Sequence, residues 1–345
     1  MASSYPKRKL GDEMVSAQGL GCMGMSGAYT SYGKVTDEES LQVLTRAADI
    51  GITFWDTSDL YGPHTNEKLL GRWFKETGRR KEIFLATKFA VIMGPNRSMT
   101  VRGDREYVKQ ACQDSLERLG VDRIDLYYQH RVDPNTPIEE TVKAMVELKD
   151  EGKIRYLGLS ECSARTLRRA CAVHPIAAAQ MEYSPFALEI EDAQTEFLKT
   201  ANELGVALVA YSPLGRGFLT GTIKSRDDFD QGDGRLFHPR FSEAHFGENL
   251  KLVNTLSDIA SRKGCTTGQL TLAWLMAQGD NIIPIPGTKR IKYLEENAGA
   301  ANVHLTKEEI QEFRHAIESV GGVKGERYPP QVLATCFADS PELKA

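Results

Sequence analysis

The sequence predicts an α/β protein, a (β/α)8 barrel of the TIM-barrel class, as one domain spanning residues 1–345. Short apolar runs alternate eight times with longer amphipathic stretches. Glycines stand where five of the helical stretches should stop. A chain of 345 residues with 41% hydrophobic content is enough to bury one large core. Strand–helix alternation implies a parallel sheet. An open doubly wound sheet satisfies the same alternation, and the count of eight favours closure into a barrel.

The eight candidate strands are Gln18–Gly21, Thr53–Thr57, Ile83–Lys88, Ile124–His130, Tyr156–Ser160, Ala177–Glu182, Ala207–Tyr211 and Ile282–Pro286. The first helix is expected over Asp37–Ile50, with Thr36 as N-cap and Glu39 completing a capping box. The others are Asn66–Thr77, Arg105–Leu119, Ile138–Glu151, Ala164–Val173, Ala193–Leu204, Leu250–Lys263 and Ile291–Ala300. Gly51, Gly78, Gly120, Gly152 and Gly205 end helices as C′ residues do. Three segments fall outside the repeat. Lys7–Val15 carries a Gly-Asp turn and reads as an N-terminal hairpin closing the barrel bottom. Leu214–Glu248 is a long loop after strand seven. Gly321–Ala345 is a C-terminal tail containing Tyr328-Pro329-Pro330.

Gly19-Leu20-Gly21-Cys22-Met23-Gly24 matches the GxGxxG pattern of dinucleotide-binding sheets. That motif needs a helix to begin inside it, with its N-terminus on the pyrophosphate. Here the next helix waits until Asp37, so the segment reads as a strand opening into a Gly-rich loop at a barrel mouth.

Composition excludes several classes. The 43 basic and 47 acidic residues are mixed along the chain, and the formal net charge is -4. Without a basic block, neither nucleic acid nor an anionic membrane is expected as a partner. No apolar run approaches the roughly 20 residues of a membrane helix. The start, MASSYPKRKLGDE, lacks a secretory apolar region, and PELKA is not a peroxisomal address. The six cysteines form no CxxC pair, so no metal and no disulfide framework is expected, and a cytoplasmic location fits.

Three strands end in ionisable residues: Asp56, Lys88 and His130. All C-terminal strand ends of a barrel lie on one face, where active sites are built. Strands two, three and four are neighbours, so these residues should converge, with Tyr61 in the loop just after Asp56. Singly, each has an ordinary explanation: a loop cap, an ion-pair partner, a rim histidine, a packed aromatic. Together they suit carbonyl reduction. Hydride addition leaves an alkoxide that needs a proton. Tyr61 is a candidate acid, its pKa of about 10 open to lowering by Lys88. Asp56 would hold the lysine charged, and His130 would hydrogen-bond the carbonyl oxygen.

The segment Gly51-Ile52-Thr53-Phe54-Trp55-Asp56-Thr57-Ser58-Asp59-Leu60-Tyr61-Gly62, followed by Asn66-Glu67, resembles the first signature of the aldo-keto reductases. The resemblance extends from about Gly19 to Ala300. It includes Ser115-Leu116-Glu117-Arg118-Leu119-Gly120, Ile154–Ser160, Met181–Pro185, Tyr211–Gly215 and Ile285–Thr288. It implies a (β/α)8 barrel, an NADPH/NADP+ cofactor, a small-molecule carbonyl substrate and a catalytic tetrad of Asp56, Tyr61, Lys88 and His130. Ser160 and Gln180 match the positions that hydrogen-bond the nicotinamide carboxamide. Otherwise they are a loop serine and a buried amide satisfied by backbone. Tyr211 matches the aromatic that stacks on the nicotinamide ring. Ser212, Pro213, Leu214, Gly215 and Gly217 resemble the loop over the pyrophosphate. Lys289 and Arg290 open the last barrel helix, where its N-terminus and their charges suit the 2′-phosphate. Glu296 and Asn297 match the adenine contacts, or else belong to a solvated helix face. Cys22, Met23 and Asp56 complete the cofactor-binding candidates.

The sequence departs from the family at Glu161, where many members have Asn or Arg after the serine. It departs again at Gly287-Thr288, which precede the charges of Lys289 and Arg290. The Gly-rich first loop and the long loop after strand seven resemble the fungal, plant and bacterial branch related to potassium-channel β subunits. That kinship supplies one rival function, a non-catalytic NADPH-binding regulatory subunit on the same barrel. The channel relatives have Asn where this chain has His130, and an intact tetrad argues for turnover. A metal-dependent barrel hydrolase is a second rival. His64, His130, His174 and His238 show no ligand spacing. Specificity is expected from Tyr29, Val91–Val101, Leu214–Glu248 and the tail. Leu214–Glu248 is expected to order itself as a clamp over the bound cofactor, with Arg235 and Arg240 reaching its phosphates.

Overall fold

The computed structural model describes residues 5–26, 35–94 and 98–344. The N-terminal hairpin is present, as β1 (Lys7–Leu10) paired antiparallel with β2 (Glu13–Ser16). The barrel strands are β3 (Leu20–Gly21), β4 (Phe54–Asp56), β5 (Phe84–Phe89), β8 (Ile124–Gln129), β9 (Ile154–Ser160), β10 (Ala178–Glu182), β11 (Ala207–Tyr211) and β12 (Ile282–Pro284). They pair in parallel in chain order. A second hairpin, β6 (Val91–Met93) with β7 (Met99–Val101), rises beyond β5.

First and last strands meet, which excludes the open-sheet alternative. The Gly19 N–H donates to Pro284 O at 2.9 Å and that of Gly21 to Pro286 O at 3.3 Å. The seam is tight enough that a Cβ on Gly21 would lie 2.8 Å from Ile285 O. Alternation along each strand divides two cores. Phe54, Ala86, Leu126, Tyr128, Val209 and Ile283 fill the barrel interior. Trp55, Leu85 and Tyr127 point the other way, onto the helices. Leu10 and Val15 of the hairpin join the interior group and plug its lower end.

The helices are α1 (Asp37–Asp49), α2 (Thr65–Thr77), α3 (Arg105–Leu119), α4 (Ile138–Asp150), α5 (Ala164–Val173), α6 (Phe197–Glu203), α7 (Glu243–Lys263), α8 (Thr267–Met276), α9 (Ile291–Ala298), α10 (Lys307–Ser319) and α11 (Pro330–Leu333). The capping box of Thr36 and Glu39 forms as expected. Helix α7 begins seven residues before the expected Leu250. Helices α8, α10 and the short α11 are additional to the eight expected. Among the described residues, no helix is long and apolar enough to cross a membrane.

Leu214–Glu248, expected to order as a clamp over bound cofactor, carries internal packing of its own. Its described residues form four short 3-10 turns that run into α7. Phe218, Phe229, Phe241 and Phe246 pack on one another with ring centroids 5.2–6.2 Å apart. Burying four aromatic rings fixes this segment without help from a ligand. The tail crosses the barrel mouth, where Ala338 bridges Cys162 and Ser340 Oγ accepts from the Ile138 N–H at 2.6 Å.

Candidate active site

The end of β4 delivers Asp56, and the chain turns immediately. Asn66 pins that turn, accepting from Thr57 Oγ1 at 2.6 Å and donating to Cys22 O at 2.9 Å. Tyr61 is thereby folded back over the end of β5, its ring 4.9 Å from Lys88 Nζ. Glu67 braces β5 from behind: it accepts from Thr87 Oγ1 and from Arg118 Nε, both at 2.6 Å. This accounts for Asn66-Glu67 and Arg118 as positioning residues under the site.

Lys88 is wholly buried. Its Nζ donates to Asp56 Oδ1 at 2.5 Å, to Thr57 O at 2.8 Å and to Tyr61 Oη at 3.2 Å. Gln180 Nε2 donates to the other Asp56 oxygen at 2.7 Å. Burial pushes the Asp56 carboxyl above its ordinary value, opposed by Lys88 and Gln180. Burial also works against the Lys88 ammonium, but Asp56 and Tyr61 more than offset it and hold its pKa up. For Tyr61 the sequence argument anticipated a lowered pKa. Burial is the larger effect, and the phenol sits above its ordinary value despite the pull of Lys88. His130 follows β8 and lies edge-on to Tyr61, ring centroids 6.0 Å apart. Its Nδ1 is 3.2 Å from Ser58 Oγ. Burial, then Lys88 and Arg131, hold this imidazole well below its ordinary pKa, so it is neutral at pH 7.

Above this group opens a cavity of about 410 Å3. Asp56, Tyr61 and His130 line one end, with Lys88 beneath them. Of the cofactor-binding candidates, Met23, Ser160, Gln180, Tyr211, Ser212, Pro213, Leu214, Gly217, Gly287, Thr288, Lys289, Arg290, Glu296 and Asn297 line its length. Cys22 and Gly215 are buried behind the wall instead. Asn297 is buried rather than part of a solvated helix face. Gln180 is satisfied by a carboxylate, not by backbone. Ser160 Oγ is buried with no hydrogen-bond partner among the described residues. Glu161 turns away from the cavity toward the tail. Tyr29 lies outside the described residues.

The sequence reading did not single out Arg131 or Arg216, which also line the cavity, and Tyr328 enters it from the tail expected to shape specificity. Tyr328 Oη is 3.0 Å from Tyr211 Oη. Arg216 pairs with Glu182 at 2.8 Å. Arg235 and Arg240, expected at the phosphates, do not line the cavity. Arg235 is wholly buried on Asp233, and Arg240 pairs with Glu189 at 2.6 Å.

The model of the aldo/keto reductase family matches residues 19–318. The chain belongs to the aldo/keto reductase family. It is 51% identical over 341 residues to the Schizosaccharomyces pombe aldo-keto reductase yakc [NADP(+)], covering 99% of each. It is 54% identical to aldo-keto reductase str7 of Strobilurus tenacellus, covering 98% of each. Among solved structures, it resembles the glycerol dehydrogenase AKR11B4 of Gluconobacter oxydans with a TM-score of 0.82 at 26% identity, covering 92% of this chain and 96% of that one. It resembles the holo form of AKR11C1 from Bacillus halodurans with a TM-score of 0.72 at 28% identity, covering 94% and 99%. As a family member with a barrel-mouth cavity, this aldo-keto reductase has the architecture of a carbonyl-reducing enzyme.

Proposed function

We propose that this aldo-keto reductase reduces aldehydes or ketones to alcohols with NADPH, and that Tyr61 donates the proton. The carrying observation is Lys88 Nζ bridging Asp56 and the Tyr61 hydroxyl at the end of the cavity. The residues suit the cofactor. Ser160 Oγ, buried and without a partner among the described residues, is a ready donor for the carboxamide. Tyr211 offers its ring beside it, fixed by its hydroxyl donating to Glu161 at 2.7 Å. At the other end Lys289 and Arg290 line the cavity, where their charges would meet a 2′-phosphate; burial, then Arg290 and Arg235, lower the Lys289 pKa, with Asp233 opposing them. The N-terminus of α9 adds its dipole there. The S. pombe relative carries NADP(+) in its name.

The hydride is the cofactor's contribution when bound. Tyr61 keeps its proton until an alkoxide appears, because burial holds the phenol neutral. Lys88, 3.2 Å from Oη, then stabilises the phenolate that remains. Asp56 keeps that lysine charged and aimed. Ser58 Oγ lies 3.2 Å from His130 Nδ1, and in this reading the other ring nitrogen carries the proton and hydrogen-bonds the carbonyl oxygen. The test is NADPH consumption at 340 nm across a panel of aldehydes and ketones. Cofactor binding without consumption of any of them would favour the regulatory-subunit alternative.

A further inference from the structure

We infer that Arg131 is a substrate-recognition residue that binds an anionic substituent, so that the preferred substrates are carbonyl compounds carrying a carboxylate. The inference rests on the reductase reading above and names its substrate class. Five arginines are buried among the described residues: Arg131, Arg216, Arg235, Arg240 and Arg327. Four of them hold a carboxylate: Glu182 for Arg216, Asp233 for Arg235, Glu189 for Arg240 and Glu161 for Arg327, at 2.6–3.0 Å. Arg131, only 9% exposed, makes no ion pair among the described residues. Its Nη1 donates to His130 O at 2.8 Å and its Nε to Thr335 Oγ1 at 3.2 Å, both uncharged oxygens. Its Nη2 has no hydrogen-bond partner there. Glu161 feels this charge without touching it; among the described residues no carboxylate contacts the guanidinium, so a counter-ion in direct contact would come from outside the chain.

Position says what supplies it. Arg131 follows His130 directly and lines the same cavity. The cofactor's phosphate end lies elsewhere, beyond β12, with three barrel strands between β12 and β8. The carbonyl oxygen already has Tyr61 and His130. What remains for Arg131 is a second, negatively charged group on the same substrate. Met23, Leu60 and Tyr328 line the same cavity and suit an apolar or aromatic spacer. The guanidinium fork matches a carboxylate in two places at once. In the reaction the carbonyl gains the hydride from NADPH and the proton from Tyr61, and the carboxylate is unchanged.

Two probes share a ring and differ in the charge: 4-formylbenzoate and its methyl ester. With NADPH, the wild type should favour the acid by roughly 10- to 100-fold, mainly in KM, the size of one charge-assisted hydrogen bond. The preference should fade as salt is raised. Arg131→Met should bring the acid-to-ester ratio of kcat/KM close to one, and Arg131→Lys should restore part of it. No preference in the wild type overturns the inference. So does a preference that survives Arg131→Met, which would mean the tetrad holds the carboxylate. Equal losses for acid and ester in Arg131→Met would mark a structural role instead and also overturn it. If neither compound is reduced, the wider aldehyde and ketone panel decides the reductase reading. Calorimetric binding of the two probes to the NADP+-loaded protein then decides on Arg131 separately. Tighter binding of the acid that Arg131→Met abolishes upholds the inference, and equal binding refutes it.

Discussion

Replacing Arg327 by Met tests the ion-pair network that holds the tail on the barrel rim. Arg327 is nearly fully buried, with Nη1 3.0 Å and Nη2 3.1 Å from the two Glu161 oxygens, and Nη1 3.2 Å from Glu182. Burial drives the Glu161 carboxyl up, but Arg327, then Arg131 and Tyr211, bring it from 4.5 down to about 2. That displacement corresponds to about 3 kcal/mol at neutral pH. Removing one partner of a buried pair costs about 3–5 kcal/mol by a separate route, because the other charge is left uncompensated. Glu182 keeps Arg216, so the loss concentrates on Glu161. The expected destabilisation at pH 7 is therefore about 3–4 kcal/mol, read from urea unfolding. The sign with pH follows. In the wild type the folded pKa is depressed, so the stabilisation is present above about 4.5 and fades as pH falls toward 2. In Arg327→Met burial prevails, Glu161 takes up a proton more readily, and the penalty shrinks in acid. A gap below about 1 kcal/mol at pH 7, or a gap that does not narrow in acid, refutes the reasoning. Adding Glu161→Gln should recover much of the loss.

Tyr61→Phe removes one oxygen from the proton path, so turnover should fall by about 100-fold or more while NADPH affinity by fluorescence titration stays close to wild type. His130 is held well below 6.5 and Tyr61 above 10.0, so kcat for reduction should be flat with pH through the neutral range. A step near the ordinary histidine value would contradict these assignments. Replacing Lys289 and Arg290 together by Ala should weaken NADPH by at least roughly 10-fold and NADH far less. Equal losses in titrations would remove the 2′-phosphate assignment. Phe241→Ala opens the aromatic cluster of the long loop and should cost about 3–5 kcal/mol. Hydrogen exchange over residues 218–246 should rise with it, whereas in the wild type this segment is protected before NADPH is added.

The barrel was legible because its signals are local and repeated. Each strand is a short apolar run, each following helix has an amphipathic period, and Gly120 and Gly78 end theirs with positive φ. Helix α8 escaped because Leu270, Leu272, Ala273, Trp274 and Leu275 are all buried, leaving no polar face for periodicity to detect. Helix α10 carries a readable capping box in Thr306 and Glu309 and was hidden only by an eightfold template that had already been filled. The catalytic candidates were visible because a barrel collects strand ends on one face. Arg131 and Tyr328 were not, since neither lies in a motif and Tyr328 reaches the cavity from a tail whose path depends on Arg327. Partners 166 residues apart leave no periodicity to read.

Glu161 shows how such a distant partner changes the meaning of a local departure. Read in sequence, a glutamate after Ser160 looks like damage to a cofactor contact. In three dimensions its backbone is left-handed, φ 50°, and the carboxylate turns from the cavity to Arg327 and the Tyr211 hydroxyl. One acid thus ties the tail to the rim and fixes the aromatic ring beside Ser160. Glu182, two residues after Gln180, repeats the arrangement with Arg216 from the long loop and the same Arg327. Ser160 and Gln180 each stand within two positions of a buried ion-paired carboxylate, and Tyr211 is tied to one by its hydroxyl, so their placement depends on segments far along the chain. The same charges define the substrate end. Glu161, Glu182 and Glu189 are matched by Arg327, Arg216 and Arg240, and Arg131 is the fourth arginine beside three carboxylates. Arg131 feels Glu161 at a distance, but among the described residues it touches no carboxylate, and it stands next to His130, where a substrate carboxylate would bind it directly.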